Sequence, residues 1–393
     1  GKCHFKPDPL ALRGFQGRER QEEIVPRIED VDYLTFLRDG GFDHVRDPHG
    51  ARSEMIYMPQ VSQLPAGAHP SQWVGDRSIR FLETQTRGGP WLLFASFIHP
   101  HPPYAPPSPW DKLYRAVRMP PPHLPEGYAS LQPFVPRSRL GHYYHDGPVH
   151  VNLWRTIRAF YYACVSFVDF QVGRIMQALE RTGRLDDTLV VFTSDHGDML
   201  GDYGLVGKSC MLDAAAKIPM VVRRPGAFDP GKRCGQVASL LDVGPTILRA
   251  AGIEPPPDWA GVDLKDLAAG KVDLAVVFSQ VNQAAVASYM AVDERRKYVY
   301  SAPDRREYLF DRRDDPHETR DLAAAGAGGD EMRRLKAALL EHLRAGGEDA
   351  ALDGDDWKTY PLGEVPDPET HRNIRDNPWA DYRIPGYSDR EGS

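Results

Sequence analysis

The chain has 393 residues, of which 41% are apolar and 26% charged, the composition of an ordinary globular protein with a substantial core. No apolar run is long enough to cross a bilayer, and the net charge of −7 disfavours nucleic-acid binding, which requires clustered lysine and arginine. The four cysteines lie far apart without a CxxC pair, so they are interpreted as free thiols and not as a disulfide framework or zinc site.

The first half of the chain is predicted to contain a helix, a buried strand and a long loop. It opens with GKCHFKP, which resembles neither a signal peptide nor a helix start, so we expect a chain cut within a domain. Apolar residues at helical spacing predict a helix over 70–86. The continuous apolar run 91–97 is typical of a strand buried on both faces. Thirteen of the 35 prolines lie in 100–148, which predicts mostly loop.

Helices and strands alternate through the middle of the chain. Residues 154–181 carry an apolar stripe of helical period, and Gly183 follows as a C-cap. Short apolar strands are predicted at 189–192 and 218–222, and a capped helix at 242–251. This alternation predicts an α/β fold with helices on both faces of a sheet.

The pattern changes near residue 270. Four apolar segments follow one another too closely for helices between them: 275–281, 285–292, 297–300 and 307–310. They predict a small antiparallel sheet, and the amphipathic segment 331–344 predicts a helix over one of its faces. The acidic residues beyond 345 are predicted to be irregular. We therefore predict three parts, which are residues 1–270, 271–345 and 346–393.

The segment TLVVFTSDHGDMLGDYGLVGK, residues 188–208, is the most informative part of the chain. Its apolar run places Asp195 and His196 at the end of a predicted strand, where ligands bind in βα architectures. A carboxylate and an imidazole can hold a divalent ion, so these two residues are candidate metal ligands. The alternative is an aspartate that caps the next turn beside a surface histidine. Asp198 is interpreted only as a cap of the following turn.

Candidate acids and cations come from two other segments and from the end of this one. His99 and His101 follow the predicted strand 91–97, where an imidazole could protonate a leaving group or merely lie at the rim of a loop. Lys2 and His4 alternate on an extended segment and would face one site. Lys208 is a second candidate cation, although most lysines are simply solvated.

As an ordered set, these segments resemble the sulfatase family of the alkaline-phosphatase-like superfamily, from residue 1 to about residue 345. GKCHF is similar to the family's Gly-Lys-x-His segment, and PHPPY to its Pro-His-x-Pro segment. TSDHGDMLGDYGLVGK is similar to its late metal segment with the substrate lysine, and LFDRRDDPHETRDLA is a further characteristic segment. The resemblance implies a catalytic domain in residues 1–270 with a central mixed, mostly parallel sheet flanked by helices.

The resemblance implies a metal and a nucleophile. Asp195 and His196 would bind the metal, usually calcium in this family, or manganese, because many members have Asn where His196 stands. The family's nucleophile is a formylglycine made from a Cys-x-Pro-x-Arg segment, and two further aspartates complete the metal site. None of the four cysteines is followed by x-Pro-x-Arg. We therefore expect the nucleophile upstream of this chain, and an inactive fragment.

The resemblance also implies a reaction, the hydrolysis of a small-molecule or carbohydrate sulfate ester. Lys2 and Lys208 would hold the sulfate oxygens, and His101 would protonate the departing alcohol with Lys208 alongside. His4 would act as a base on the nucleophile. Two alternatives remain, a phosphonate monoester or phosphodiester hydrolase on the same scaffold and a non-catalytic anion-binding homologue. No nucleic-acid partner and no membrane span are expected.

Overall fold

The computed structural model describes residues 8, 11–23, 31–52, 56–85, 89–143 and 150–364. In this part of the chain the helices are α1 (Asp32–Asp39), α2 (Pro70–Thr84), α3 (Phe134–Tyr143), α4 (Val151–Arg181), α5 (Asp213–Ala216), α6 (Val243–Ala250), α7 (Leu264–Ala268) and α8 (Gly329–Ala345). The strands are β1 (Val190–Thr193), β2 (Met220–Arg223), β3 (Val277–Val281), β4 (Ser288–Val292), β5 (Arg296–Ser301), β6 (Arg306–Asp311), β7 (Leu352–Asp353) and β8 (Asp356–Trp357). The predicted α/β class, with a small antiparallel sheet and a helix near the carboxyl terminus, is confirmed.

Helices α2 and α4 form the layer that supports β1. They approach closely at Gly75, where an added Cβ would lie 2.6 Å from the Gln171 Oε1 atom, so only glycine fits without movement. Further along the pair, Leu82 of α2 and Leu179 of α4 bury their side chains in one cluster, and Val190 of β1 packs against it. Burial of these apolar side chains fixes the position of the start of β1 and therefore the position of its carboxyl end.

The central sheet is represented by β1 and β2, which pair antiparallel with Phe192 opposite Val221. The mostly parallel order predicted for this sheet is not seen in this pair, since the described part of the chain contributes only these two strands to it. The prediction of a strand at 91–97, buried on both faces, is wrong for the described residues. They are not assigned to a strand, and Leu92 and Phe94 are 52% and 64% exposed. A continuous apolar run is buried only where neighbouring strands cover it.

The C-terminal sheet is an antiparallel meander in the order β3-β4-β5-β6. Alternate residues point to opposite faces, so each face has its own core. One face packs on α8, whose Leu335 and Leu339 join the cluster of Tyr298 and Leu309. The opposite face packs on the loop that follows β1, through a cluster that includes Leu205. The small sheet therefore supports the segment that the sequence predicts to be functional.

A buried ion cluster joins the same two parts of the molecule. Lys297 of β5 is 1% exposed, and its Nζ donates to the backbone oxygen of Met211 at 2.9 Å and forms ion pairs with Asp213 and Glu318. The second oxygen of Glu318 accepts from the backbone N–H of Asp213 at 2.7 Å. Each carboxylate thus shares the lysine, which fixes the start of α5 to the sheet.

The residues beyond α8 are partly ordered around one aromatic side chain. Within 346–364, β7 and β8 form a two-residue hairpin, a regular element in a segment predicted to be irregular. Trp357 stacks on Tyr300 with ring centroids 4.2 Å apart and donates its indole N–H to the Tyr298 hydroxyl at 2.9 Å. Residues 365–393 lie outside the described part of the chain, and the predicted three-part division remains a prediction. None of the helices described here has the length and apolar character to traverse a bilayer.

Candidate active site

A pocket at the carboxyl end of β1 brings together residues that are distant in the sequence. His101, Asp195 and His196 line it with Ile98, Pro100, Tyr161, Ser194, Gly197 and Asp198. The His101 and His196 rings meet edge to face, with centroids 6.5 Å apart. The structure therefore unites the proposed acid with both proposed metal ligands.

Gly197 determines how the chain leaves β1. Its N–H donates to the backbone oxygen of Ala215 at 2.7 Å, and an added Cβ would lie 2.1 Å from the backbone oxygen of Ala214. Such a distance is far below contact, so a larger residue would push the strand end away from α5. Glycine here lets the chain turn against α5 while the two preceding side chains line the pocket.

His196 has the hydrogen bonding of a metal-ligating imidazole. Its Nδ1 lies 2.7 Å from the Gly197 carbonyl oxygen, which can only accept, so Nδ1 carries the hydrogen and Nε2 presents a lone pair. That Nε2 is 3.6 Å from Asp195 Oδ2. Burial, with the nearby Lys208 charge, lowers the pKa of His196 and favours the neutral ring. Burial alone would raise the pKa of Asp195, but backbone N–H groups, that of His196 at 3.1 Å among them, help to hold that pKa below its ordinary value.

A neutral imidazole nitrogen beside an ionised carboxylate fits a divalent cation, so the donor chemistry of Asp195 and His196 suits a metal. Across the described residues, however, no group of three or more acidic, histidine or cysteine side chains is arranged to hold an ion. Calcium takes about six to eight oxygen ligands, so these two side chains would supply only part of a coordination sphere.

Asp198 caps the turn after β1, as predicted, and also connects two functional segments. Its Oδ1 accepts from the backbone N–H groups of Leu200 at 3.1 Å and Gly207 at 3.2 Å. Its Oδ2 accepts from the Tyr104 hydroxyl at 2.9 Å. Burial raises the pKa of Asp198 to about 6, against the lowering effect of these donors. The carboxylate thereby fixes the loop of Lys208 to the segment that carries His101.

Lys208 does not line the pocket, but its ammonium charge acts on His196, which does. Glycine is favoured at the preceding position 207 for two reasons. The backbone has φ +71°, and an added Cβ would lie 2.5 Å from the Tyr57 hydroxyl. The half-buried ammonium contributes to the lowered pKa of His196 and opposes the rise that burial causes in the pKa of Asp198. Of the other predicted cations and bases, Lys2 and His4 lie outside the described residues.

His101 is oriented by acceptors on one side of its ring. Its Nδ1 lies 2.7 Å from the Pro102 carbonyl oxygen and 3.1 Å from Glu23 Oε1. The sequence analysis did not identify Glu23, because nothing in its own segment distinguishes it from a solvated glutamate. Its contact with His101, together with the ion pair that it forms with Arg52 at 3.1 Å, connects it to the site.

His99 does not line the pocket and belongs instead to a buried histidine cluster beneath it. The ring of His99 lies 4.7 Å from that of His69 and 5.9 Å from that of His49. His69 Nδ1 accepts from Ser71 N–H, and its Nε2 bonds the Ala105 oxygen, so the ring is neutral. His99 is therefore an interior histidine, 3% exposed, and matches neither prediction, an acid in the pocket or a residue at the rim of a loop.

This cluster predicts loss of stability in acid. Burial lowers the pKa of His69 to about 3 and that of His99 well below its ordinary value, the second also because other histidines adjoin it. Below about pH 6.5 the unfolded chain binds protons at these rings that the folded protein does not. The unfolding free energy should fall by about 1.4 kcal/mol per pH unit for each ring as pH drops below that value.

Urea titrations from pH 7.5 to pH 5 measure this slope, with His99→Gln and the exposed His44→Gln as paired variants. The decrease in unfolding free energy per pH unit should be smaller in His99→Gln than in the wild type, and unchanged in His44→Gln. An unfolding free energy that stays constant over the range would contradict a neutral buried cluster.

Comparison with known proteins places this geometry in context. The sulfatase family model matches residues 28–253, and the model of the N-sulphoglucosamine sulphohydrolase C-terminal region matches 201–345. An arylsulfatase of Clostridium perfringens is 28% identical over 383 residues, with 93% of this chain and 79% of that protein covered. A choline-sulfatase of Rhizobium meliloti is 35% identical over 360 residues, with 86% and 66% covered. A solved phosphonate monoester hydrolase from Silicibacter pomeroyi shares the fold, with a TM-score of 0.68, 24% identity, and 86% and 74% covered.

Proposed function

Because this chain belongs to the sulfatase family, we propose that its pocket hydrolyses a sulfate monoester to an alcohol and sulfate. The observation that carries the proposal is the meeting of His101 with Asp195 and His196 in one pocket at the end of β1. The substrate is a small-molecule or carbohydrate sulfate ester, since such esters combine a sulfate group with an alcohol that needs a proton.

In the proposed reaction, His101 donates a proton from Nε2 to the departing alcohol oxygen while its Nδ1–H remains bonded on the opposite side. The Lys208 ammonium stabilises negative charge that spreads over the sulfate oxygens and the leaving oxygen. Asp195 and His196 would hold a divalent ion, calcium or manganese, which when bound supplies further positive charge at these oxygens. Lys2 and His4 keep their proposed roles in binding sulfate and in base catalysis.

We propose that a formylglycine nucleophile and the remaining metal ligands come from polypeptide preceding Gly1. No cysteine of this chain lies in a Cys-x-Pro-x-Arg segment. Cys164 and Cys210 are buried, and burial raises the pKa of both thiols, that of Cys210 to about 12. A buried protonated thiol is a poor nucleophile, which supports a structural role for these two.

Exposed apolar side chains beside the central strands support the same proposal. Phe192 and Val221, opposite each other on β1 and β2, are 42% and 60% exposed. Leu92 and Phe94 are exposed on the apolar run that the sequence predicts to be a buried strand. Apolar side chains on a central sheet are ordinarily covered, so a preceding segment that completes the sheet would bury them.

The test compares esters of three kinds with the complete protein, matured by a formylglycine-generating enzyme and supplied with calcium or manganese. We expect hydrolysis of 4-nitrophenyl sulfate with kcat/KM above that for phenylphosphonate monoesters and bis(4-nitrophenyl) phosphate. The reverse order would favour the phosphonate or phosphodiester hydrolase. Sulfate binding without turnover of any ester would favour the anion-binding homologue.

The 393-residue chain alone should not turn over an aryl sulfate. Without the proposed nucleophile and with only part of a metal site, it would lack the group that attacks sulfur and part of the charge that stabilises the transition state. Release of 4-nitrophenol by the purified, metal-replete chain measures this, with the complete protein as the positive control. Steady hydrolysis by the chain alone would refute the upstream nucleophile.

A further inference from the structure

Glu23 is a buried carboxylate with no role in the reaction as described so far. Its side chain is 3% exposed, although glutamate is rarely buried unless it is paired. Each of its oxygens faces a different cation-forming side chain. Oε1 lies 3.1 Å from His101 Nδ1, and Oε2 lies 3.1 Å from Arg52 Nη1.

The arrangement fixes the orientation of the His101 ring. Arg52, itself largely buried, favours the charged form of Glu23, and a carboxylate can only accept hydrogen bonds. The Pro102 carbonyl oxygen, 2.7 Å from the same Nδ1, can also only accept. The hydrogen of Nδ1 is therefore held between two acceptors, and Nε2 lies on the opposite side of the ring.

We propose that Glu23 is the positioning residue of the general acid, holding His101 through Nδ1 so that Nε2 meets the departing alcohol. The inference rests on the proposed function, which gives His101 its role, and it adds a residue 78 positions away in sequence to that site. Glu23 acts on the reaction through His101, and Arg52 in turn holds Glu23. A general acid must lie within hydrogen-bond reach of the oxygen it protonates, so loss of its orientation lowers the rate of the chemical step.

The experiment uses the complete, matured protein and two esters that differ in the basicity of the leaving group. Phenolate needs a proton to depart, whereas 4-nitrophenolate departs readily without one. Glu23→Gln should lower kcat for phenyl sulfate about 10-fold and for 4-nitrophenyl sulfate less than about 3-fold, part of the roughly 10²–10⁴-fold that a positioned acid contributes. A purely structural defect would lower both rates alike.

The matched control is Glu19→Gln. Glu19 belongs to the same segment and also pairs with an arginine, Arg77, at 2.9 Å, but it is 47% exposed and its partner lies on α2. This variant should leave both rates unchanged. If Glu23→Gln does not fold because Arg52 is left unpaired, the double variant Glu23→Gln/Arg52→Gln removes both charges and should show the same dependence on the leaving group.

A double-mutant cycle with His101→Gln completes the test. The variant lacking both groups should be no slower on phenyl sulfate than His101→Gln alone, and the shifts in Tm should be non-additive. Equal losses on the two esters, or additive losses in the cycle, would overturn the inference while leaving sulfate hydrolysis itself intact. If the complete wild-type protein hydrolyses no sulfate ester, the proposed function fails, and additive Tm shifts would then overturn the contact independently.

Discussion

Replacing His101 by glutamine should lower kcat for phenyl sulfate by roughly 10²–10⁴-fold in the complete protein, the contribution expected of a positioned general acid. The reason is local. His101 lines the pocket with Asp195 and His196, and its Nδ1 is bonded to the Pro102 carbonyl oxygen and to Glu23, which leaves Nε2 to protonate the leaving group. Steady-state kinetics on phenyl and 4-nitrophenyl sulfate measure the loss, which should be much smaller for the nitrophenyl ester.

The control for this prediction is His342→Gln. His342 lies on α8 and stacks on Phe278 with ring centroids 4.2 Å apart, within the C-terminal part of the molecule and outside the pocket. It should change neither rate. Losses of equal size on both esters in His101→Gln would show that His101 supports the pocket structurally and does not transfer a proton.

Replacing Lys297 by methionine should reduce the unfolding free energy by about 3–5 kcal/mol, because it leaves two carboxylates near a buried site without their shared cation. Lys297 is almost completely buried, and Asp213 and Glu318 both depend on it. Urea denaturation measures the effect. The start of α5 should loosen with it, since Met211 and Asp213 are bonded to the same ammonium.

Lys336→Met is the matched control for the buried cluster. Lys336 also pairs with two carboxylates, Glu307 at 2.9 Å and Asp356 at 2.8 Å, but its side chain is 25% exposed. Solvent screens such a pair, and the expected change is roughly 0–1 kcal/mol. Similar losses in the two lysine variants would mean that burial does not govern the energetics of the Lys297 cluster.

The sequence predicted the parts of this site that are encoded in contiguous segments. An apolar strand followed by Asp195 and His196 specifies a strand end with two candidate metal ligands, and the structure places both in a pocket. Helix α4 also followed from its apolar stripe, because burial of one helix face imposes a period of 3.6 on the sequence. The C-terminal antiparallel sheet followed from apolar segments that lie too close together for helices between them. The cap formed by Asp198 was predicted from its place in the turn.

The remaining features depend on contacts between distant segments, which produce no periodic pattern in the sequence. Glu23 is distinguished only by its neighbours His101 and Arg52, which come from other segments. Phe94 is apolar as a core strand residue would be, and its exposure depends on which strands lie beside it. Trp357 follows an acidic segment whose composition does not indicate order. Its ring stacks on Tyr300 of β5, and this contact explains why the chain packs against the sheet at this point.

The central claim is that Asp195 and its neighbours at the end of β1 form the site of sulfate ester hydrolysis. Asp195→Asn tests it most directly, because the side chain is partly exposed and the substitution keeps its shape while removing the charge. The measurement is kcat/KM of the complete, metal-supplied protein for 4-nitrophenyl sulfate, with Tm recorded alongside. We predict that the variant keeps its Tm and loses nearly all turnover, whereas a variant as active as the wild type would contradict the assignment of this pocket.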